Sequence, residues 1–258
     1  MTYEAKWINK FLLKPKRWVF IPSRQSKITG KNICRLLRKY WNPPEYFYHL
    51  RNGGHVEAMR AHKQNQYFSR LDIDNFFGSI TRSRITRSLK KFVSYKTAWV
   101  IAHESTVKDP DYIGIRFMLP FGFIQSPLLA SICLDQSFLG EFLKFLHKNS
   151  QLTISVYMDD LVISSNDRDL LLSISADLKS AIIKSHWASN EQKEDICKQI
   201  ITVFNIEISH QCTRISDPRM QEFKNSYGHA ATSNSRSGII NYIRSVNPIQ
   251  GLNLLRSK

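Results

Sequence analysis

The sequence has no Cys-x-x-Cys pair. Its four cysteines, Cys34, Cys133, Cys197 and Cys212, lie far apart, which excludes the common zinc frameworks and a disulfide-stapled secreted domain, and suits free thiols in a reducing compartment. No stretch approaches the roughly 18 apolar residues of a membrane span, and Met1 to Lys16 lacks the continuous apolar core of a signal peptide. The expected location is cytoplasmic. His55, His62 and His103 show no spacing that suggests a zinc site. There is neither an internal repeat nor a long low-complexity segment. Acids are scarce too, with 21 Asp and Glu against 37 Lys and Arg in 258 residues.

What is present is a globular composition, 42% hydrophobic and 12% aromatic, with enough length for one large or two small domains. The net charge of +16 is unevenly spread: residues 1–70 carry fifteen Lys or Arg against three acids. That asymmetry suits a surface lying along a phosphate backbone, with Trp7, Trp18, Trp41, Tyr46, Phe47 and Tyr48 available to stack on bases. The same residues also fit a solvated basic face over core aromatics. An anionic membrane surface fits less well, because no long basic amphipathic helix stands out.

Along the chain, the residues before Lys16 read as a short helix, and Arg17–Pro22 as a strand ended by its proline. Apolar positions from Ile28 to Tyr40 recur at helical spacing, with Lys27, Lys31, Arg35, Arg38 and Lys39 between them. Val56–Asn65 and Ile80–Phe92 read as helices, Thr97–Ile101 as a helical continuation, and Gly114–Met118 as a strand. Leu128–Leu146 has the apolar density of one buried helix. Asp167–Lys184 is helical, and Ile200–Ile208 and Thr213–Ile215 suggest strands. In the last forty or so residues, Thr232–Gly238 reads as a loop and Ile239–Ser245 as a single helix.

The chemistry concentrates in two acidic stretches. In Ser155-Val156-Tyr157-Met158-Asp159-Asp160-Leu161-Val162, two adjacent carboxylates sit between two β-type runs, an arrangement that reads as a hairpin with an acidic turn. Neighbouring like charges destabilise a fold unless a cation holds them. Upstream, Leu71-Asp72-Ile73-Asp74-Asn75-Phe76-Phe77-Gly78 ends another strand-like run on a carboxylate. Oxygen donors from two strands are what two hard divalent cations about 4 Å apart need in order to clamp a phosphoryl group. Asp74 shares a strand face with Asp72 but reads as a turn residue.

These stretches resemble the motifs of reverse transcriptases, in order, over roughly residues 10–215. The Tyr157–Asp160 segment matches the family's Tyr-x-Asp-Asp, its Asp159 standing 87 residues after Asp72. The resemblance makes Asp72, Asp159 and Asp160 catalytic, and Asp72, the Ile73 carbonyl, Asp159 and, more weakly, Asp160 ligands of two Mg²⁺ ions, with Mn²⁺ as an alternative. It puts Met158 near the primer end and makes Phe77 a steric gate against a ribose 2′-hydroxyl. One of Phe76 and Phe77 is expected to pack in the core. Leu119–Pro127 is similar to the family's Leu-Pro-Gln-Gly and Ser-Pro segment, with Phe121 where a Gln is usual; it implies nucleotide contacts from Phe121, Gly122 and Gln125. Arg17–Pro22 resembles a fingers segment in which Arg17, assisted by Lys14 or Lys10, grips the triphosphate. The lysine expected to protonate the leaving pyrophosphate is missing, Cys212-Thr213 standing in its place, with His210 a possible substitute.

The implied fold is α+β: a right-hand polymerase palm with an antiparallel sheet and helices on one face, plus fingers and a reduced or absent thumb. The implied partition is fingers at 1–70, palm at 71–215 with part of the fingers inserted around 85–118, and a short thumb-like segment at 216–258. The implied activity is RNA-directed DNA synthesis from deoxynucleotides. It is closest to bacterial phage-defence enzymes, because the retron signatures Asn-Ala-x-x-His and Val-Thr-Gly and any separate maturase or endonuclease segment are not found. Implied partners are a noncoding RNA template, the DNA product, dNTP, and a partner protein or second copy to complete the grip on substrate. The alternatives are template-independent or protein-primed synthesis, and an RNA-binding scaffold with a vestigial site.

Overall fold

The computed structural model describes residues 5–15, 17–229 and 232–256. In chain order the elements are β1 (Trp7–Lys14), β2 (Arg17–Pro22), α1 (Arg24–Leu37), α2 (Gly54–Ala61), β3 (Tyr67–Asp72), α3 (Phe76–Ser79), α4 (Arg82–Leu89) and α5 (Tyr95–Glu104). There follow β4 (Val107–Lys108), β5 (Phe117–Met118), α6 (Ser126–Asp135), α7 (Phe138–Leu146), β6 (Thr153–Tyr157), β7 (Asp160–Ser165) and α8 (Arg168–Lys184). The chain ends with β8 (Asp195–Lys198), β9 (Ile201–Val203), β10 (Ile206–Ser209), β11 (Cys212–Ile215), α9 (Asp217–Gly228), α10 (Ser233–Val246) and α11 (Pro248–Arg256). Among the described residues no helix is long and apolar enough to cross a membrane.

Contacts gather the chain into two units, each made of three segments. Unit one is Met1–Glu45, Ile73–Phe145 and Ser180–Ser189, and unit two is Tyr46–Asp72, Leu146–Lys179 and Asn190–Lys258. These units cut across the sequential partition read from the sequence.

In unit one, β1 and β2 form an antiparallel hairpin. The expected N-terminal helix is therefore a strand. Ile8, Phe11 and Leu12 mimic helical spacing, but register shifts at Trp7/Asn9 and Leu12/Lys14 break the two-residue alternation that marks a strand. Ser23 caps α1 by accepting the Ser26 N–H. The helix buries Ile33, Cys34 and Leu37 and leaves Lys27, Lys31, Arg35, Arg38 and Lys39 exposed. Of the aromatics offered for base stacking, Trp41 is buried here, its indole donating to Asp135 at 2.8 Å.

The apolar run expected as one helix is two, α6 and α7. Ser137 breaks it, donating to the Leu134 carbonyl and accepting the Gly140 N–H, and a Cβ on Gly140 would lie 2.3 Å from the carbonyl oxygens of Leu134 and Asp135. The helical continuation at Thr97–Ile101 is a separate helix, α5, started by Ser94 accepting the Thr97 N–H.

In unit two, an antiparallel sheet of order β6-β7-β3-β8 carries the acidic hairpin, and a second sheet has order β11-β10-β9. Val56 and Met59 of α2, Phe68, Val162, the inward residues of β9–β11, and Ile243, Val246 and Leu254 form one core. Tyr46 and Phe47 are also buried, so they pack rather than stack on bases. His62 is wholly buried and bridges Ser155 (2.8 Å) and Ser164 (2.7 Å), tying β6 to β7, while α8 holds β3 through Ser175 and Ser69 at 2.8 Å.

The C-terminal residues hold three helices rather than a loop and one helix. The Ser- and Asn-rich tract is the start of α10, where Thr232 accepts the Ser235 N–H. Pro218 stands in the first turn of α9, where a proline costs no hydrogen bond.

Candidate active site

Asp72, at the end of β3, and the acidic hairpin meet in unit two. On β3 and β7, Asp72 pairs directly with Asp160, and on β6 and β7 Tyr157 pairs with Asp160. Directly opposed residues share a sheet face, so Asp72, Asp160 and Tyr157 lie together with Arg70, two residues before Asp72. Met158-Asp159 is the two-residue connection. Met158 has φ 60°, in the left-handed region that costs a non-glycine residue about 1 kcal/mol or more. The sequence therefore builds the acidic turn at a cost in backbone strain. Half-buried His49 accepts the Met158 N–H at Nδ1, at 3.3 Å. Burial lowers its pKa to about 4, so at neutral pH the ring is uncharged and able to accept.

Asp72 is 2% exposed and is held by three groups. Lys193 donates to both carboxylate oxygens at 3.0 and 3.1 Å, the Asn190 amide donates at 3.2 Å, and the Asn190 N–H donates to the Asp72 carbonyl at 2.8 Å. Asp160 accepts two bonds from the Arg70 fork, at 3.0 and 2.7 Å, and Arg70 also reaches the Thr202 carbonyl at 3.2 Å. Burial pushes the Asp160 carboxyl above its ordinary value and Asp72 adds to the rise, while Arg70 and, more weakly, Lys193 oppose it.

Among the described residues, no group of three His, Cys, Asp or Glu side chains is gathered in a metal-holding arrangement. The donor set nevertheless suits hard cations. Two opposed carboxylates, one buried and one half-buried, are each paired with a basic side chain, and a third carboxylate stands in the adjoining turn.

Lys193, Asn190 and Arg70 escape the sequence reading. Arg70 carries a signal, since a residue two before an acid on a strand shares its face. Asn190 and Lys193 reach Asp72 because Glu191–Lys193 forms a single 3-10 turn, which nothing in the local hydrophobic pattern announces. Lys193, twenty positions before Thr213, brings a lysine to Asp72. Thr213 is buried and donates to the Val246 carbonyl at 3.2 Å, and His210 meets the Asn65 carbonyl at 3.3 Å. Asp74 is an exposed turn residue. Ile73 is buried and pairs with Ser189.

In unit one, the residues expected at the nucleotide form a column. The Arg17 guanidinium lies 4.5 Å from the Phe121 ring centroid, and the Phe121 and Phe77 centroids are 4.5 Å apart. Phe76 turns away to pack on Trp187 at 5.7 Å. Lys14 is exposed and pairs with Arg17 across the β1–β2 hairpin.

The reasons found for Gly122 and Gln125 differ from those expected. Gly122 has φ 101°, and a Cβ there would fall 2.1 Å from the Phe20 carbonyl oxygen; the glycine admits strand β2, whose Phe20 N–H donates to the Phe121 carbonyl at 2.9 Å. Gln125 is 1% exposed and donates to Ser105 at 3.3 Å, so its amide braces α1 and α5 instead of facing a ligand.

The family model described as reverse transcriptase (RNA-dependent DNA polymerase) matches residues 6–223. Among solved structures, the foamy viral protease–reverse transcriptase in complex with double-stranded DNA matches with a TM-score of 0.52 and 17% identity, over 90% of this chain and 35% of that one. Telomerase from Candida albicans, in complex with a fragment of telomeric RNA, matches with a TM-score of 0.53 and 9% identity, over 90% of this chain and 47% of that one. This chain therefore spans between a third and a half of those proteins, and at such identities the likeness is one of fold. No curated protein matches the sequence. With the family model covering most of its length, the chain belongs to the reverse transcriptase (RNA-dependent DNA polymerase) family.

Proposed function

We propose that this chain is an RNA-directed DNA polymerase that adds deoxynucleotides to a 3′-hydroxyl by two-metal phosphoryl transfer. The observation that carries the reading is the register of β3 against β7, which sets Asp72 opposite Asp160 beside the Met158-Asp159 turn. Asp72 and Asp159 are the direct cation ligands, with the Ile73 carbonyl beside them. Asp160, committed to the Arg70 fork, serves as an outer ligand. Two Mg²⁺ ions, when bound, supply the charge that acidifies the primer hydroxyl and neutralises the departing pyrophosphate.

The protein's own groups position and neutralise. Arg70 opposes the rise that burial imposes on Asp160's pKa, His49 holds the turn through the Met158 N–H, and Lys193 neutralises Asp72. With a nucleotide present, Lys193 is the proton donor for the leaving group. Arg17, seated on Phe121, meets the triphosphate with Lys14, and Phe77 gates the sugar.

The domain reading is fingers at 1–70, palm at 71–215 with part of the fingers inserted around 85–118, and a short thumb-like segment at 216–258. Four free cysteines suit a cytoplasmic setting. A noncoding RNA template and a part in antiphage defence, with a partner protein or a second copy, are the finer reading; it rests on the order of the motifs without the retron signatures Asn-Ala-x-x-His and Val-Thr-Gly. The test is incorporation of each labelled dNTP on a primed RNA with Mg²⁺. Wild type incorporates, and Asp159→Asn loses incorporation while keeping its fold and RNA binding. An Asp159→Asn chain that incorporates at the wild-type rate refutes the assignment.

A further inference from the structure

In unit one, α4 and α5 flank an open groove of about 380 Å³ that none of the catalytic motifs uses. Spacing builds its two walls. Arg82, Thr86 and Lys90 recur every four residues along α4 and its C-cap, and Tyr95, Trp99 and His103 do so along α5, so each set lies on one helix face. Arg87 joins the first wall, and no carboxylate is among the lining side chains.

The cations are presented for binding. Arg82 is oriented by its bond to Thr106 (3.0 Å) and by the Phe117 ring, 3.6 Å from its guanidinium carbon, and Lys90 and Arg87 are exposed. The aromatic wall is equally unusual for a water-facing surface. Tyr95 is 62% and Trp99 46% exposed. Trp99 is steadied by the His103 ring at 3.6 Å between centroids, and His103 Nδ1 meets the Trp99 carbonyl at 2.9 Å. Lys90 stands 5.8 Å from the Tyr95 ring centre.

A row of fixed cations facing a row of exposed, pre-stacked rings complements a ligand that is polyanionic on one edge and flat and aromatic on the other. That ligand is a single nucleic-acid strand with its bases turned out. Duplex hides its bases, and an acidic peptide or lipid headgroup gives the rings nothing to stack on. We propose that this groove binds single-stranded RNA, with phosphates on Arg82, Arg87 and Lys90 and bases on Trp99 and Tyr95. The choice of RNA rests on the polymerase reading above: while RNA is copied, the DNA product is paired, and the uncopied template is the strand left single.

The experiment is anisotropy of a short labelled oligouridylate titrated with the full chain, without divalent cations or nucleotides, across a series of salt concentrations. Trp99→Ala weakens binding roughly tenfold or more, while Trp99→Phe retains most of it. Arg87→Gln with Lys90→Gln, both at exposed positions that leave the core untouched, weakens binding and flattens the log affinity against log salt slope by about 1.4 for the two charges. Oligothymidylate and duplex RNA bind more weakly than the oligouridylate. Wild-type affinity and slope in both the Trp99→Ala and the double-Gln chains overturn the site. Stronger binding of duplex or of oligothymidylate overturns its assignment to single-stranded RNA. Because no synthesis is read, a chain that binds RNA through these residues yet copies nothing upholds the groove and refutes only the polymerase reading.

Discussion

Replacing Arg70 by Gln leaves Asp160 buried, opposite Asp72, with neither of its two fork bonds. Both partners are largely buried, at 17% and 14% side-chain exposure, so screening by water is modest, and removing one member of such a pair costs about 3 kcal/mol. Arg70→Lys keeps the charge but not the fork and costs about half that.

The pH dependence identifies the cause. Asp160's folded pKa is already raised, by burial first and Asp72 next, with Arg70 opposing. A carboxyl with a raised folded pKa contributes stability that is present below its unfolded value and is lost as pH rises through the folded one. Removing Arg70 raises the folded pKa further, so the variant loses more than wild type as pH climbs. The deficit is then larger at about pH 8 than at about pH 5, because protonation of Asp160 as pH falls relieves the unpaired charge. Urea denaturation of both chains at the two pH values measures it, and Arg70→Gln with Asp160→Asn should recover most of the loss. A deficit equal at both pH values, or none at either, refutes the reasoning.

Phe77→Ala is expected to raise ribonucleotide use relative to deoxynucleotide use while lowering stability by about 3 kcal/mol, since the ring is buried; single-nucleotide incorporation by the folded variant checks it, and unchanged discrimination moves the gate elsewhere. His49 and His62, with pKa values lowered by burial to about 4 and about 3, contribute stability that is complete above their unfolded pKa and is lost as pH falls. Wild type should therefore lose about 2 kcal/mol per histidine between neutral pH and about pH 5, and His62→Phe should flatten the denaturant midpoint against pH.

The acidic hairpin, the strand ending at Asp72 and the order of the motifs were legible because alternation, an acidic turn and a carboxylate at a strand end are local signals. The N-terminal strand was not legible, because its bulges disrupt the period, and α10 was hidden because a Thr cap followed by Ser and Asn has the composition of a loop. Lys193 was hidden for a different reason: its meaning lies in a partner 121 residues away, and a lysine in the run Glu191-Gln192-Lys193-Glu194-Asp195 reads as solvated surface. The packing of β2 against Gly122 and of Ser105 against Gln125 is tertiary and leaves no trace in a motif.

The most direct test of the central claim is to sequence the DNA made by the purified full chain on a primed RNA of mixed sequence with Mg²⁺ and all four dNTPs. The account predicts a product complementary to the RNA at every position, and none from Asp72→Asn. A product whose sequence is independent of the template, or one that persists in Asp72→Asn, would contradict it.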